Sequence, residues 1–147
     1  MHTIQRPQRN WRTLGSALLL GTCAFALHAG FAAAIDIKLA LTGDQEVPPV
    51  KSEGSGTGFF AVSNDMAITG SVTTKGIMGT AAHIHQAAPG ANGPVIIPLT
   101  KNGDTYSVPA NARLSDAQSA ALTAGTLYVN VHTAANPGGE LRAQLKP

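Results

Sequence analysis

Two short segments hold the residues that could do chemistry. AAHIHQ (81–86) sets His83 and His85 two apart, and TLYVNVHT (126–133) carries His132 near the end of an alternating run. In a strand, residues i and i+2 face the same side. His83 and His85 can therefore reach one ion while Ala82 and Ile84 face the opposite way. In the second run Tyr128, Asn130 and His132 share a face, with Val129 and Val131 packing behind. If the two strands approach each other, three imidazoles converge. Neutral imidazole suits copper and zinc, and a set of histidines with no thiolate leans toward Cu(II), with zinc second. The plainer reading is two polar residues on an exposed strand and an unrelated third. Economy weighs against it, because every histidine beyond residue 34 falls in these two segments. No rival constellation stands out. The chain has no G-x-S-x-G, and GSGTG (54–58) lacks the Lys and the following helix of a phosphate loop.

The N-terminus reads as an export signal. Arg6, Arg9 and Arg12 precede an apolar run, LGSALLLGTCAFALHAG, which ends at Ala32-Ala33-Ala34, a small-residue cleavage site. A signal peptide over 1–34 leaves a single domain over 35–147, periplasmic or secreted, with no membrane attachment after cleavage. The alternatives are an N-terminal anchor, for which the run is short and interrupted, and lipoprotein processing at Cys23. Three of the ten basic residues leave with the leader, so seven face eight acids and the exported domain carries a net charge of −1. That balance gives no reason to expect nucleic acid as a partner. The only cysteine leaves as well, so any metal must be held by nitrogen and oxygen donors.

Three converging histidines need strands to hold them, and the exported segment supplies strands almost throughout. IDIKLALT (35–42), TGFFAVSN (57–64), AITGSVTT (67–74), AAHIHQ (81–86), VIIPLT (95–100), TYSVP (105–109), TLYVNVHT (126–133) and ELRAQLK (140–146) read as about eight strands separated by Gly/Pro/Asn/Asp clusters. Pro48-Pro49 excludes a central strand from 43–56. Asn64-Asp65 and Lys101-Asn102-Gly103-Asp104 read as hairpin turns. One helix is expected near 115–124, because Ser115 and Gln118 form a capping box and Gly125 follows. The fold class is all-β, an antiparallel sandwich.

LTGDQEVPPV, AAHIHQAAPGANGPV, LSDAQ and GTLYVNVHTAANPGGELRAQL together resemble the CHRD domain, named for its occurrence in chordin and found in many secreted bacterial proteins. The resemblance spans about Leu39 to Leu145. It implies an immunoglobulin-like β-sandwich related to that of the Cu/Zn superoxide dismutases. HIH resembles the paired copper-binding histidines of that enzyme, and TLYVNVHT the strand bearing its last copper histidine. NPGGELRAQL resembles the segment bearing the arginine that draws the anion in, here Arg142. The bridging histidine, the zinc-site histidines and the disulfide have no counterpart.

Three further residues are candidates for an outer shell. Glu46 could accept from an imidazole N–H or pair with Arg142. Asn130 could hydrogen-bond into the site, and Glu140 could accept from backbone or arginine. Each also has a plain structural reading. Three functions remain open at this point. One is an exported copper-binding carrier or sequestering protein without efficient catalysis. The second is a metal-free extracellular interaction or matrix module with a protein partner. The third is a dismutase-like copper oxidoreductase.

Overall fold

Alternation of apolar and polar residues gives nine strands and two facing sheets in the computed structural model, which describes residues 34–147. The strands are β1 (Ile35–Leu41), β2 (Ser55–Val62), β3 (Ile68–Lys75), β4 (Gly79–Gln86), β5 (Val95–Pro98), β6 (Thr100–Asn102), β7 (Thr105–Ser107), β8 (Leu127–Thr133) and β9 (Leu141–Leu145). One sheet runs β1-β2-β3-β7-β6 and the other β5-β4-β8-β9, and every pairing is antiparallel. The expected export leader, with Cys23 and all but its last residue Ala34, lies outside the described residues. Among those described, no helix is long and apolar enough to cross a membrane.

The inner faces make the core. Ile37, Leu41, Phe60, Val62, Ile68, Val72 and Tyr106 of the first sheet meet Ala82, Ile84, Ile97, Val129, Val131, Leu141, Ala143 and Leu145 of the second. Burying a large aliphatic side chain is worth roughly 1.5–3 kcal/mol, so this face fixes which side of each strand points inward. The histidines are thereby sent to the outer face of the four-stranded sheet.

One expected strand is two. VIIPLT breaks at Pro98, which has no N–H to continue the ladder. Leu99 makes a last bond to Ala82 O (2.9 Å), and the chain then changes sheets to pair β6 with β7. The hairpin that follows also turns one residue later than Asn-Gly suggests. Asn102 pairs with Thr105, leaving Gly103 at φ 58° and Asp104 in the turn. At the other hairpin Asn64-Asp65 do form the tip, followed by Met66 in the left-handed region.

The helix α1 (Asp116–Thr123) carries both halves of the capping box. Ser115 Oγ accepts from Gln118 N, and Gln118 Oε1 accepts from Ser115 N (2.9 Å). Its Leu122 and Ala121 are buried against the core. Beyond β1, Thr42 bridges Arg142 of β9 in both directions (3.1 and 3.0 Å). That bridge joins the two sheets along one edge. It also brings the 43–50 loop, which opens with a short 3-10 turn (Gly43–Gln45), close to β9. Replacing Ser115 by Ala should destabilise the domain by about 1 kcal/mol, read from urea denaturation, because one orphan N–H of the first turn loses its acceptor. A loss below a few tenths would show that the box is not holding the helix.

Candidate metal centre

The pairing of β4 with β8 assembles the site. His83 lies directly opposite Asn130, His85 opposite Tyr128, and Ala81 opposite His132. A bulge falls between Gly79 and Ala81, beyond the histidines, so their register is unbroken. Alternation then puts Ala81, His83 and His85 of β4 on one face with Tyr128, Asn130 and His132 of β8. β9 adds Arg142 and Gln144, opposite Asn130 and Tyr128.

The three imidazoles converge. One nitrogen from each ring lies within 4.8 Å of the others. Two nitrogens bound to a common ion at about 2.0–2.1 Å sit roughly 3.3 Å apart at tetrahedral angles, so small ring rotations close the gap. His83 Nδ1 is 2.9 Å from His132 Nε2. The two outward contacts settle the proton positions. His132 Nδ1 lies 2.9 Å from Pro137 O, and His85 Nδ1 lies 3.0 Å from Gly93 O. A carbonyl only accepts, so both Nδ1 atoms carry hydrogen. In the neutral rings this leaves Nε2 of His85 and His132 as lone pairs. His83 therefore donates from Nδ1 to His132. His85 Nε2 is buried and has no hydrogen-bond partner among the described residues. Imidazoles held by an Nδ1–H to backbone carbonyl bond, with the Nε2 lone pair turned inward, are arranged as metal ligands are.

Two loops provide those carbonyls. Gly93 also donates its N–H to the Tyr128 hydroxyl (3.2 Å). Only glycine fits there, since a Cβ would lie 1.9 Å from Gln86 O. The Tyr128 ring stacks on His85 at 4.7 Å and 5°, while the Arg142 guanidinium carbon lies 3.4 Å from the Tyr128 ring centroid. The strand order β4-β8-β9 places His85 and Arg142 on the two flanks of that ring. Arg142 is 1% exposed and donates to Asn92 Oδ1 (3.1 Å) and Ala91 O (2.9 Å). Asn92 in turn donates to Val47 O (2.7 Å), tying the 87–94 loop to the 43–50 loop.

The acids sit around the histidines without touching them. Glu46 is 4% exposed, and its Oε1 has no donor among the described residues. Burial pushes its carboxyl up to about 6, against the pull of the Arg142 charge. Glu140 accepts from Ser52 Oγ (2.7 Å), Thr133 Oγ1 and Asn136 Nδ2 (3.0 Å). These bonds, led by Thr133, hold it below the usual carboxylate range. Its function in the structure is to clasp the 134–139 loop, which presents Pro137 O to His132. His83 is pushed below its ordinary value by burial and then by the neighbouring His132 and His85. His85 is lowered by burial, with the Gly93 carbonyl and the Asn130 side chain opposing. Arg142 adds a smaller lowering at His85, so its charge is felt there although the guanidinium is spent elsewhere.

Sequence reasoning missed the carbonyls of Gly93 and Pro137, the Tyr128 stack and the Asn92 staple. Gly93-Pro94 and Pro137-Gly138-Gly139 are visible as turns, but nothing in them says which carbonyl will meet an imidazole. A groove of about 480 Å³, lined by residues such as Glu46, Pro89 and Arg142, contains no histidine. An ion needs ligands rather than volume, so the groove does not compete with the centre.

The profile of the CHRD domain matches residues 37–145, and the chain belongs to that family. The comparison with curated proteins returns no match, and neither does the comparison with solved structures.

The buried charges make opposite contributions to stability as pH changes. Glu46 binds its proton more tightly folded than unfolded, so it adds stability as pH falls from about 6 through 4.5. His83 and His85 bind theirs less tightly folded, so they remove stability as pH falls below 6.5. Glu46→Gln should therefore stabilise the metal-free protein at pH 8, and the gain should vanish by about pH 4.5. Urea denaturation across that range checks it. A gain that is constant with pH would show that Glu46 is not charged at a cost.

Proposed function

We propose that this CHRD domain binds one transition-metal ion, copper by preference, through His83, His85 and His132, and acts outside the cytoplasm as a metal carrier or sequestering protein. The observation that carries the reading is the pair of fixed tautomers. Backbone carbonyls hold the Nδ1–H of His85 and His132, and leave both Nε2 lone pairs facing the cluster. His83 joins when its proton moves from Nδ1 to Nε2. Copper is favoured over zinc because the imidazole set contains no thiolate and imidazole sites rank Cu(II) above the other first-row divalent ions. When bound, the ion would supply a Lewis-acidic and redox-active centre. The chain's own contribution is to orient three rings, keep His83 and His85 neutral by burial, and cover His85 with Tyr128. The export signal expected over 1–34 belongs to the same reading. It is checked by whether the chain recovered outside the cytoplasm begins near Ile35.

Catalysis is a secondary output at most. Arg142, which a dismutase-like role would aim at an incoming anion, is enclosed by Asn92, Ala91 and Tyr128. We propose that it acts mainly by holding the 87–94 loop, and that its charge reaches the site only as a field. A metal-free interaction module is the second reading, and one observation favours it. His83 and His132 satisfy each other through a direct hydrogen bond, so the pair can exist without an ion.

Calorimetric titration separates the readings. Cu(II) should bind at one per chain. His83→Ala, His85→Ala and His132→Ala should each weaken it by at least about 100-fold, since a ligand rather than its support is lost. Binding should persist below pH 6.5 before it fades, because the lowered His83 and His85 values keep those two rings neutral there. Retained affinity in all three variants would remove the site from these residues.

A further inference from the structure

We propose that Asn130 is itself a ligand, its Oδ1 completing the three imidazoles as the oxygen donor of an N3O site. The inference rests on the metal reading above and assigns a fourth position within it.

Placement comes first. Asn130 stands directly opposite His83 and two residues before His132 on the same face. Cross-strand partners bring their Cβ atoms to about 4.5–5.5 Å. The amide therefore stands among the rings rather than at their rim. It is also more deeply buried than any of them, at 2% exposure.

Orientation comes next. Asn130 Nδ2 points toward Gly138 O (3.4 Å). Glu46 is on the same side. A Cβ at Gly139 would lie 2.6 Å from Asn130 Nδ2 and 2.4 Å from Glu46 Oε1, so both atoms crowd one point above that glycine. Gly139 sits at φ 134°, a conformation that L side chains rarely adopt, and its bare Cα lets the two groups approach. With its NH2 turned to Gly138 O, on the side where Glu46 Oε1 also lies, the amide directs Oδ1 the other way. Flipping it would set Oδ1 against a carbonyl and a carboxylate, so the network decides the assignment.

The third observation is what Oδ1 meets. It is buried and has no donor among the described residues, and the same holds for His85 Nε2. An unmatched buried acceptor is costly to keep. Two such acceptors lie on one small face, beside the His83–His132 pair. One cation satisfies both lone pairs, whereas a rearranged tautomer does not. The Nδ1–H of His85 is already committed to Gly93 O, so moving that proton to Nε2 would set a bare nitrogen against a carbonyl. Glu46, behind the amide, faces its NH2 side and would polarise Oδ1 toward the ion, as outer carboxylates do for other ligands.

Substituting a sulfur donor tests direct ligation. In the full chain carrying Cys23→Ser, Asn130→Cys would be the only thiol. Co(II), which is redox-quiet and spectroscopically visible, is the probe. The expected result is an intense sulfur-to-cobalt charge-transfer band in the near ultraviolet, absent from the Cys23→Ser parent. Asn130→Leu should weaken Co(II) at least about tenfold, but support residues can do as much, so the band is the deciding readout. Asn130→Asp, nearly isosteric, guards against a folding failure in the other variants and should shift the cobalt d–d bands while keeping one ion per chain. Overturning results are a folded Cys variant that binds Co(II) without the band, or d–d bands unmoved in the Asp variant. Either leaves the three-histidine site standing, with Asn130 as a spacer or a partner to bound water. A parent chain that binds neither Co(II) nor Cu(II) would instead remove the metal reading, and this inference with it.

Discussion

Everything at the centre depends on the register of β4 against β8. Side chains alternate with a period of two, so a slip by one residue would turn His83 and His85 into the core and expel Ile84. The inner face prevents it. Ile84, Val129 and Val131 are fully buried in the apolar core, where an unpaired imidazole would be costly. The apolar core therefore sets the geometry of a polar site it never touches. The outer face of an antiparallel sheet is usually left to water. Here it carries a second, polar layer, closed over by the 43–50, 87–94 and 134–139 loops.

That polar layer is held by charge as well as by hydrogen bonds, and its balance is uneven. Arg142 and Glu46 are both buried, and they oppose each other across the layer. For Arg142 the donors are matched by Asn92 and Ala91, and the Tyr128 face covers the cation. For Glu46 burial outweighs the attraction of Arg142, and the carboxyl is left poised near neutrality. Among the described residues the unmatched buried polar atoms cluster accordingly: Glu46 Oε1, Asn130 Oδ1 and His85 Nε2 all belong to this layer, with Tyr106 Oη the remaining one in the core. Structures tolerate such atoms where a ligand or water completes them.

Much of this was legible in the sequence, and the part that was not has a physical cause. Period-two alternation located the strands, and the shared face of residues i and i+2 put His83 beside His85 and Asn130 beside His132. The capping box at Ser115 and Gln118 fixed the helix start to the residue. The sheet change at Pro98-Leu99 was hidden because alternation says nothing about which neighbour a strand will take. The anchoring carbonyls of Gly93 and Pro137 were hidden for a related reason. A backbone acceptor has no residue identity, and only the folded loop decides where it points. Arg142 shows the limit of reading a side chain by type. Its charge suggested exposure to an anion, yet its place on β9 beside Tyr128 buries it under a loop. Glu140 likewise faces a loop clasp rather than the histidines, because β9 begins one residue beyond it.

The proposed function stands or falls on whether one ion is held by His83, His85 and His132. Crystals of the chain grown with equimolar Cu(II), with diffraction measured at the copper absorption edge, test it most directly. A single anomalous peak is expected about 2 Å from a nitrogen of each of the three rings, with the His85–Gly93 and His132–Pro137 bonds intact. A fully loaded crystal whose copper lies elsewhere, or in which the His83–His132 hydrogen bond persists with no ion between the rings, would contradict it.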